Sequence, residues 1–212
     1  MLVNMSPRRY EQRLRAQAAE DTRERIVEAL LERLRKAPAE PVSVDRVARM
    51  AGVSRSTVYV AFGSRAGLLE AAWLALMRRS GYDRLIEAVS VEDAREHLRG
   101  GITAGVEMFA ANHEVARALY AMARLDGDGD ALGEAVQRME TERTAGMERL
   151  VRRLAEQDVL RPGVPPADAV EILRLLTSFD AFQQLFEGGR LSTGEVARLL
   201  VETAERTVCR RG

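Results

Sequence analysis

With 212 residues, 46% of them apolar, the chain can bury a real core and build at most two domains, which excludes a disordered protein. The single cysteine, Cys209, excludes an internal disulfide and a cysteine-based zinc site, and no apolar run approaches the length of a membrane span. The formal net charge of zero hides an asymmetry: residues 1–80 hold 15 Arg and Lys against 9 Asp and Glu, and residues 81–212 hold 17 against 23. The halves are therefore +6 and −6, which points to a polyanion partner for the N-terminal part alone, because cations that neutralise phosphates release condensed counterions.

The opening MLVNMSPRRY lacks the apolar stretch of a signal peptide, so a soluble, cytoplasmic protein is expected. Residues 1–21 carry Arg8, Arg9, Arg13 and Arg15 ahead of the first helix. They read as a basic arm able to enter an adjacent minor groove, as a solvated tail, or as an extension of that helix. From Thr22 the residues Ile26, Val27, Leu30, Leu31 and Leu34 fall on one face of a helix that ends near the prolines Pro38 and Pro41. Ser43 offers an N-cap for a second helix, Val44 to Ala51, stopped by Gly52. Ser54 caps a third helix, Arg55 to Phe62, before Gly63.

Two short helices joined by a tight Gly turn form a helix-turn-helix. Small Ala48 allows their close approach, and Val53 and Val58 pack underneath. That leaves Arg55, Ser56, Thr57 and Val60 projecting from the start of the third helix, the end that fits a major groove. Arg55 can fork to guanine, Ser56 and Thr57 can reach base edges, and the Thr57 methyl can meet a thymine methyl. Ser54 and Tyr59 are suited to hold phosphates.

The stretch Val42 to Trp73, VSVDRVARMAGVSRSTVYVAFGSRAGLLEAAW, resembles the DNA-binding domain of TetR-family transcriptional regulators. The resemblance rests on Val47-Ala48, Ala51-Gly52-Val53-Ser54, Thr57-Val58-Tyr59, Phe62, and Ser64-Arg65 followed by Leu68-Leu69. It implies DNA contact at Ser43, Arg55, Ser56, Thr57, Tyr59 and Arg65, the last standing where members usually have a phosphate-binding lysine. Ala61 departs from a position often held by an aromatic or histidine, so one phosphate contact is expected to be missing. Ala66 and Gly67 replace the usual acidic residues at the start of the fourth helix. The leader RRYEQRLRAQAAEDTRERI and the stretch FDAFQQLFEGGRLSTGEVARLLVETAER also resemble family members, and the middle of the chain does not.

Beyond the third helix, apolar spacing marks helices over 64–79, 91–111, 114–125, 131–157, 167–187 and 193–210, nine in all. The expectation is thus an all-α protein: a leader (1–21), a three-helix DNA-binding domain (22–66) and a C-terminal helical bundle (67–212). DGDGD at 126–130 fails as a calcium loop, since Ala131 stands where glycine is needed and Gln137 where a closing glutamate is needed. His97 and His113, sixteen apart, have no metal-ligand spacing, so neither metal nor cofactor is expected. No acid, base or nucleophile constellation supports an enzyme.

The resemblance implies an effector enclosed among the fourth to seventh helices. Trp73, Met77, Tyr82, Met108, Phe109, His113, Tyr120, Met122 and Met147 are the candidates to line it, with His113 and Tyr120 as polar anchors for an apolar or aromatic small molecule. Phe179, Phe182, Leu185, Phe186, Val196, Leu199, Leu200 and Thr203 exceed one stripe per helix, which suggests a four-helix interface with a second copy. The functional expectation is a homodimeric repressor that reads a palindromic operator in double-stranded DNA. An effector would release it by favouring a state in which the fourth helix moves the two heads out of groove register. A transcriptional activator, or an architectural DNA-binding protein without effector, are the alternatives.

Overall fold

The computed structural model describes residues 7–125 and 131–210, with side chains from residue 11 onward. Eleven helices are present among the described residues, and the one β feature there is an isolated antiparallel bridge, Leu160 with Cys209. They are α1 (Pro7–Lys36), α2 (Val44–Ala51), α3 (Arg55–Phe62), α4 (Arg65–Arg79), α5 (Tyr82–Val89), α6 (Ala94–Ala111), α7 (His113–Leu125), α8 (Ala131–Glu156), α9 (Pro166–Leu176), α10 (Phe179–Phe186) and α11 (Thr193–Val208). The all-α expectation holds, and the count of nine is corrected to eleven for two local reasons. Tyr82, Leu85, Ile86 and Val89 have helical spacing of their own, cut off from α4 by Gly81 at φ 91°. The stretch 167–187 breaks because Ser178 is extended (φ −73°, ψ 152°) and caps α10 through the Ala181 N–H, 3.1 Å away.

The described residues form two compact units, one within residues 1–75 and 117–133 and the other within residues 76–116 and 134–212. In the first, Ile26, Leu30, Leu31 and Leu34 of α1 are fully buried with Val47 and Ala48 of α2, Val58 of α3 and Leu68, Leu69 and Trp73 of α4. The Trp73 and Tyr120 rings meet edge to face at 5.1 Å. Helix α1 begins well before Thr22, so residues 7–21 are the helical extension among the three readings of the leader. No glycine or proline interrupts residues 8–36, and Ala16, Ala18 and Ala19 favour helix even though residues 11–20 are exposed.

Arg33, only 2% exposed, closes the far end of α1. It donates to the Ala37 carbonyl at 2.5 Å and to Glu40 Oε2 at 2.8 Å, and Glu40 also accepts from Arg46 of α2 at 2.9 Å. One carboxylate thereby ties the connecting loop to both helices.

In the second unit α6 packs chiefly against α5 and α11. Gly101 permits the close approach of α5, since a Cβ there would stand 3.1 Å from Val89 Cγ1. The N-terminus of α6 is bound to the end of α8: Gln157 accepts from the Ala94 N–H at 2.9 Å and donates to the Glu92 carbonyl at 2.8 Å. At the other end, Phe109 and His113 join Phe179, Phe182 and Phe186 of α10 in a cluster with ring centroids 4.9–6.2 Å apart. A full capping box, Ser192 with Glu195, starts α11. The DGDGD segment lies outside the described residues, among which no cluster of three metal-ligating side chains occurs. No single described helix is long and apolar enough to cross a membrane.

Candidate functional site

The turn between α2 and α3 is built as its residues dictate. Gly52 takes the left-handed conformation at φ 67°, and its own N–H and that of Val53 return to the last carbonyls of α2, Val53 to Ala48 at 3.0 Å. Ser54 Oγ accepts from the Thr57 N–H at 3.1 Å, which starts α3. Val58, 1% exposed, anchors α3 from below. Arg23 of α1 holds the other end, stacking 4.4 Å over the Phe62 ring and donating to the Ala61 carbonyl. The helix is fixed at both ends and along its underside.

Its outer face is polar and open. Ser54, Arg55, Ser56, Tyr59 and Val60 are exposed, Val60 at 88%, and Thr57 is half-buried. The Ser54 hydroxyl shares hydrogen bonds with Ser56 (2.7 Å) and Thr57 (2.8 Å), so three hydroxyls stand together at the N-terminus of α3. The Arg55 guanidinium donates to Asp45 Oδ2 at 2.9 Å and to the Tyr59 hydroxyl at 3.3 Å. The Tyr59 hydroxyl first, and the Asp45 carboxylate after it, raise the Arg55 pKa above its ordinary value. Ser43 caps α2 with a long bond from the Arg46 N–H, 3.4 Å, and is exposed. Arg65 is half-buried, with Nη2 3.8 Å from Met122 Sδ. Reading the sequence did not find Asp45 or Arg23: they lie ten and 38 residues from the groups they hold, on different helices, and no local spacing signals such pairs.

The second unit contains a cavity of about 90 Å³ between α5, α6 and α8. Of the nine candidate ligand residues, Met108, Phe109 and Met147 line it. Met77, Tyr82 and His113 lie in the same unit away from its walls, and Trp73, Tyr120 and Met122 belong to the first unit. His97, Arg143 and Thr177 line it without having been candidates. A sequence signal for it exists: His97, Gly101, Gly105 and Phe109 recur every fourth residue, and two glycines on one helix stripe leave volume unfilled.

Of the residues put forward for a second copy, Phe179, Phe182, Val196 and Leu200 are 0–4% exposed inside their own unit. Little of their surface is left for a partner. Leu185, Phe186, Leu199 and Thr203 keep exposed surface, and Leu175 of α9, at 68%, joins them. Cys209 is buried, and that burial pushes its thiol up, away from reactivity.

Taken together, the first unit has the geometry of a helix-turn-helix DNA-binding protein. Residues 26–72 match the family model of bacterial regulatory proteins of the tetR family, a match that covers the helix-turn-helix of the first unit. No curated protein sequence matches it significantly. Among solved structures it is similar to the TetR-family regulator PfmR of Thermus thermophilus (TM-score 0.67, 22% identity, 85% of this chain and 97% of that one). It is also similar to NalD of Pseudomonas aeruginosa, the secondary repressor of the MexAB-OprM multidrug efflux pump (TM-score 0.66, 23% identity, 91% and 98%). A third similar structure is AibR in complex with isovaleryl coenzyme A and operator DNA (TM-score 0.67, 17% identity, 86% and 97%). At these identities the likeness concerns the fold.

Proposed function

We propose that the protein is a cytoplasmic repressor that binds a palindromic operator as a homodimer and leaves it when a small molecule occupies the cavity of its second unit. The observation that carries the DNA reading is the polar cluster of exposed Ser54, Arg55 and Ser56 with half-buried Thr57, on a helix held by Val58, Phe62 and Arg23. In this reading Arg55 and Thr57 meet base edges, Ser56 and Val60 flank them, and Ser43, Ser54, Tyr59 and Arg65 fix the phosphates. Val60 offers methyl groups suited to a thymine methyl.

Release follows from differential affinity: an effector that prefers the state with its two reading heads out of groove register shifts the population away from DNA. The cavity of about 90 Å³, with Met108, Phe109 and Met147 in its walls, supports an apolar effector. A dimer through Leu175, Leu185, Phe186, Leu199 and Thr203 would set two recognition helices about 34–36 Å apart on successive major grooves.

The test is a footprint of the wild-type chain on genomic DNA, followed by Arg55→Ala and Thr57→Ala on the sequence recovered. Each is expected to weaken operator binding by about 1–3 kcal/mol, roughly five- to 150-fold, with the far-UV spectrum and melting unchanged. Operator binding as tight and as selective as wild type in both variants would refute the assignment.

A further inference from the structure

We infer that the ligand of the second-unit cavity is an uncharged, mainly apolar molecule of about the size of one aromatic ring that presents a hydrogen-bond acceptor to His97. This deepens the effector reading above and rests on it for the consequence, but not for the binding chemistry.

Three polar side chains line the cavity, and two are already engaged. Arg143 directs four of its five N–H groups inside the protein: Nε and Nη2 to Glu140 Oε2 at 3.1 and 2.5 Å, and Nη1 to the Arg174 carbonyl and Thr177 Oγ1, both at 2.8 Å. Glu140 balances its charge, so a ligand carboxylate entering here would have to compete with a carboxylate in place. The Thr177 hydroxyl donates to the Leu173 carbonyl at 2.7 Å while accepting from Arg143.

His97 is different. Arg153 Nη1 lies 3.0 Å from His97 Nδ1, and an arginine can only donate, so Nδ1 is the acceptor and the ring proton sits on Nε2. Arg153 is held there by the Val91 carbonyl, at 2.5 Å, and the Glu92 carbonyl. On the ring edge away from Arg153, Cδ2 lies 3.8 Å from the point where a Cβ of the cavity-lining Gly101 would stand. The described hydrogen bond of His97 runs through Nδ1, which leaves the Nε2 proton on the opposite edge of the ring as the donor available on a wall otherwise made of carbon and engaged groups. Burial, with the charges of Arg153 and Arg149 behind the ring, disfavours a second proton, which keeps the donor neutral and removes the attraction an anion would need. A site built around one neutral donor selects a ligand with one acceptor, because an acceptor-free analogue leaves the donor unpaired. A volume of about 90 Å³ holds several waters, which suits a single ring and excludes large conjugates from the interior.

The experiment is calorimetric titration of the full chain, without DNA, with three probes of one shape: acetophenone, ethylbenzene and benzoate. Acetophenone is expected to bind about two- to tenfold more tightly than ethylbenzene, the range for one neutral hydrogen bond, with benzoate weakest. In His97→Phe the ratio of acetophenone to ethylbenzene affinity should fall to about one, and in His97→Gln, which keeps an N–H donor, a preference should remain. The ratio within one variant is insensitive to any general loss of stability. Benzoate binding most tightly, an unchanged ratio in His97→Phe, or no binding of any probe at millimolar concentration would each overturn the inference. A separate anisotropy arm on operator DNA isolates the other reading: acetophenone that binds as expected yet leaves operator affinity unchanged refutes effector release and leaves the ligand chemistry standing.

Discussion

Arg55 shows how a single side chain can be held ready without being committed. Its partner Asp45 is 48% exposed and Arg55 58%, so water screens the pair and the exchange of a carboxylate for a phosphate or a guanine edge costs little. Asp45 also sets a negative charge beside an anionic partner. Asp45→Asn is therefore expected to tighten binding to any duplex about two- to fivefold, with a steeper salt dependence, measurable by anisotropy across a salt series. At His97 the prediction concerns pH. Its pKa in the folded chain is lowered, by burial first and then by Arg153 and Arg149, so the unfolded chain takes the proton more readily. Stability is full above the unfolded value of about 6.5 and declines as pH falls below it, until the folded imidazole also titrates. Denaturant titrations from pH 7.5 to 5 should show this slope in the wild type and a shallower one in His97→Gln.

Among the elements, α6 combines the most structural roles: it packs on α5 and α11, and its Gly101 and Gly105 leave the cavity open. The two glycines differ. A Cβ at Gly101 would press on Val89, whereas one at Gly105 meets nothing within 4 Å. Gly105→Ala should therefore stabilise the protein by about 0.4–1 kcal/mol, because it restricts the unfolded chain and favours helix. That raises the melting temperature by roughly 2–4 °C, or less, in thermal denaturation. A lower melting temperature would mean that the helix backbone at this point is not free to accept a side chain. The division of 167–187 into α9 and α10 also belongs to this scale. Ser178 and Asp180 spell an N-cap and an acidic first turn, a signal legible in the residues but outweighed by continuous apolar spacing.

At the scale of the whole molecule the prediction concerns the proposed second copy. Leu175 and Leu199 are exposed on helices that pack together, α9 with α11, while Phe179, Phe182, Val196 and Leu200 fill the core beneath. Leu199→Glu should yield a folded monomer at micromolar concentration by light scattering, and operator binding should fall steeply because two tethered heads bind far better than one. A variant that stayed dimeric would move the interface elsewhere. The +6 and −6 halves belong to this scale too: in the proposed function the field of the N-terminal part favours a polyanion and that of the rest opposes it.

What the residues determined alone was the reading head: Ser43 and Ser54 as caps, Gly52 as the turn, Val47, Ala48 and Val58 as the inner face. Each of those signals acts within about four residues, so a linear reading can hold all of it. Tertiary structure decided the rest. Whether Phe182 meets its own core or another copy, whether Arg55 finds Asp45, and whether the stripe from His97 to Phe109 leaves space or is filled, all depend on helices far apart in the chain. Periodicity says that a face will be buried; only the packed neighbour says against what.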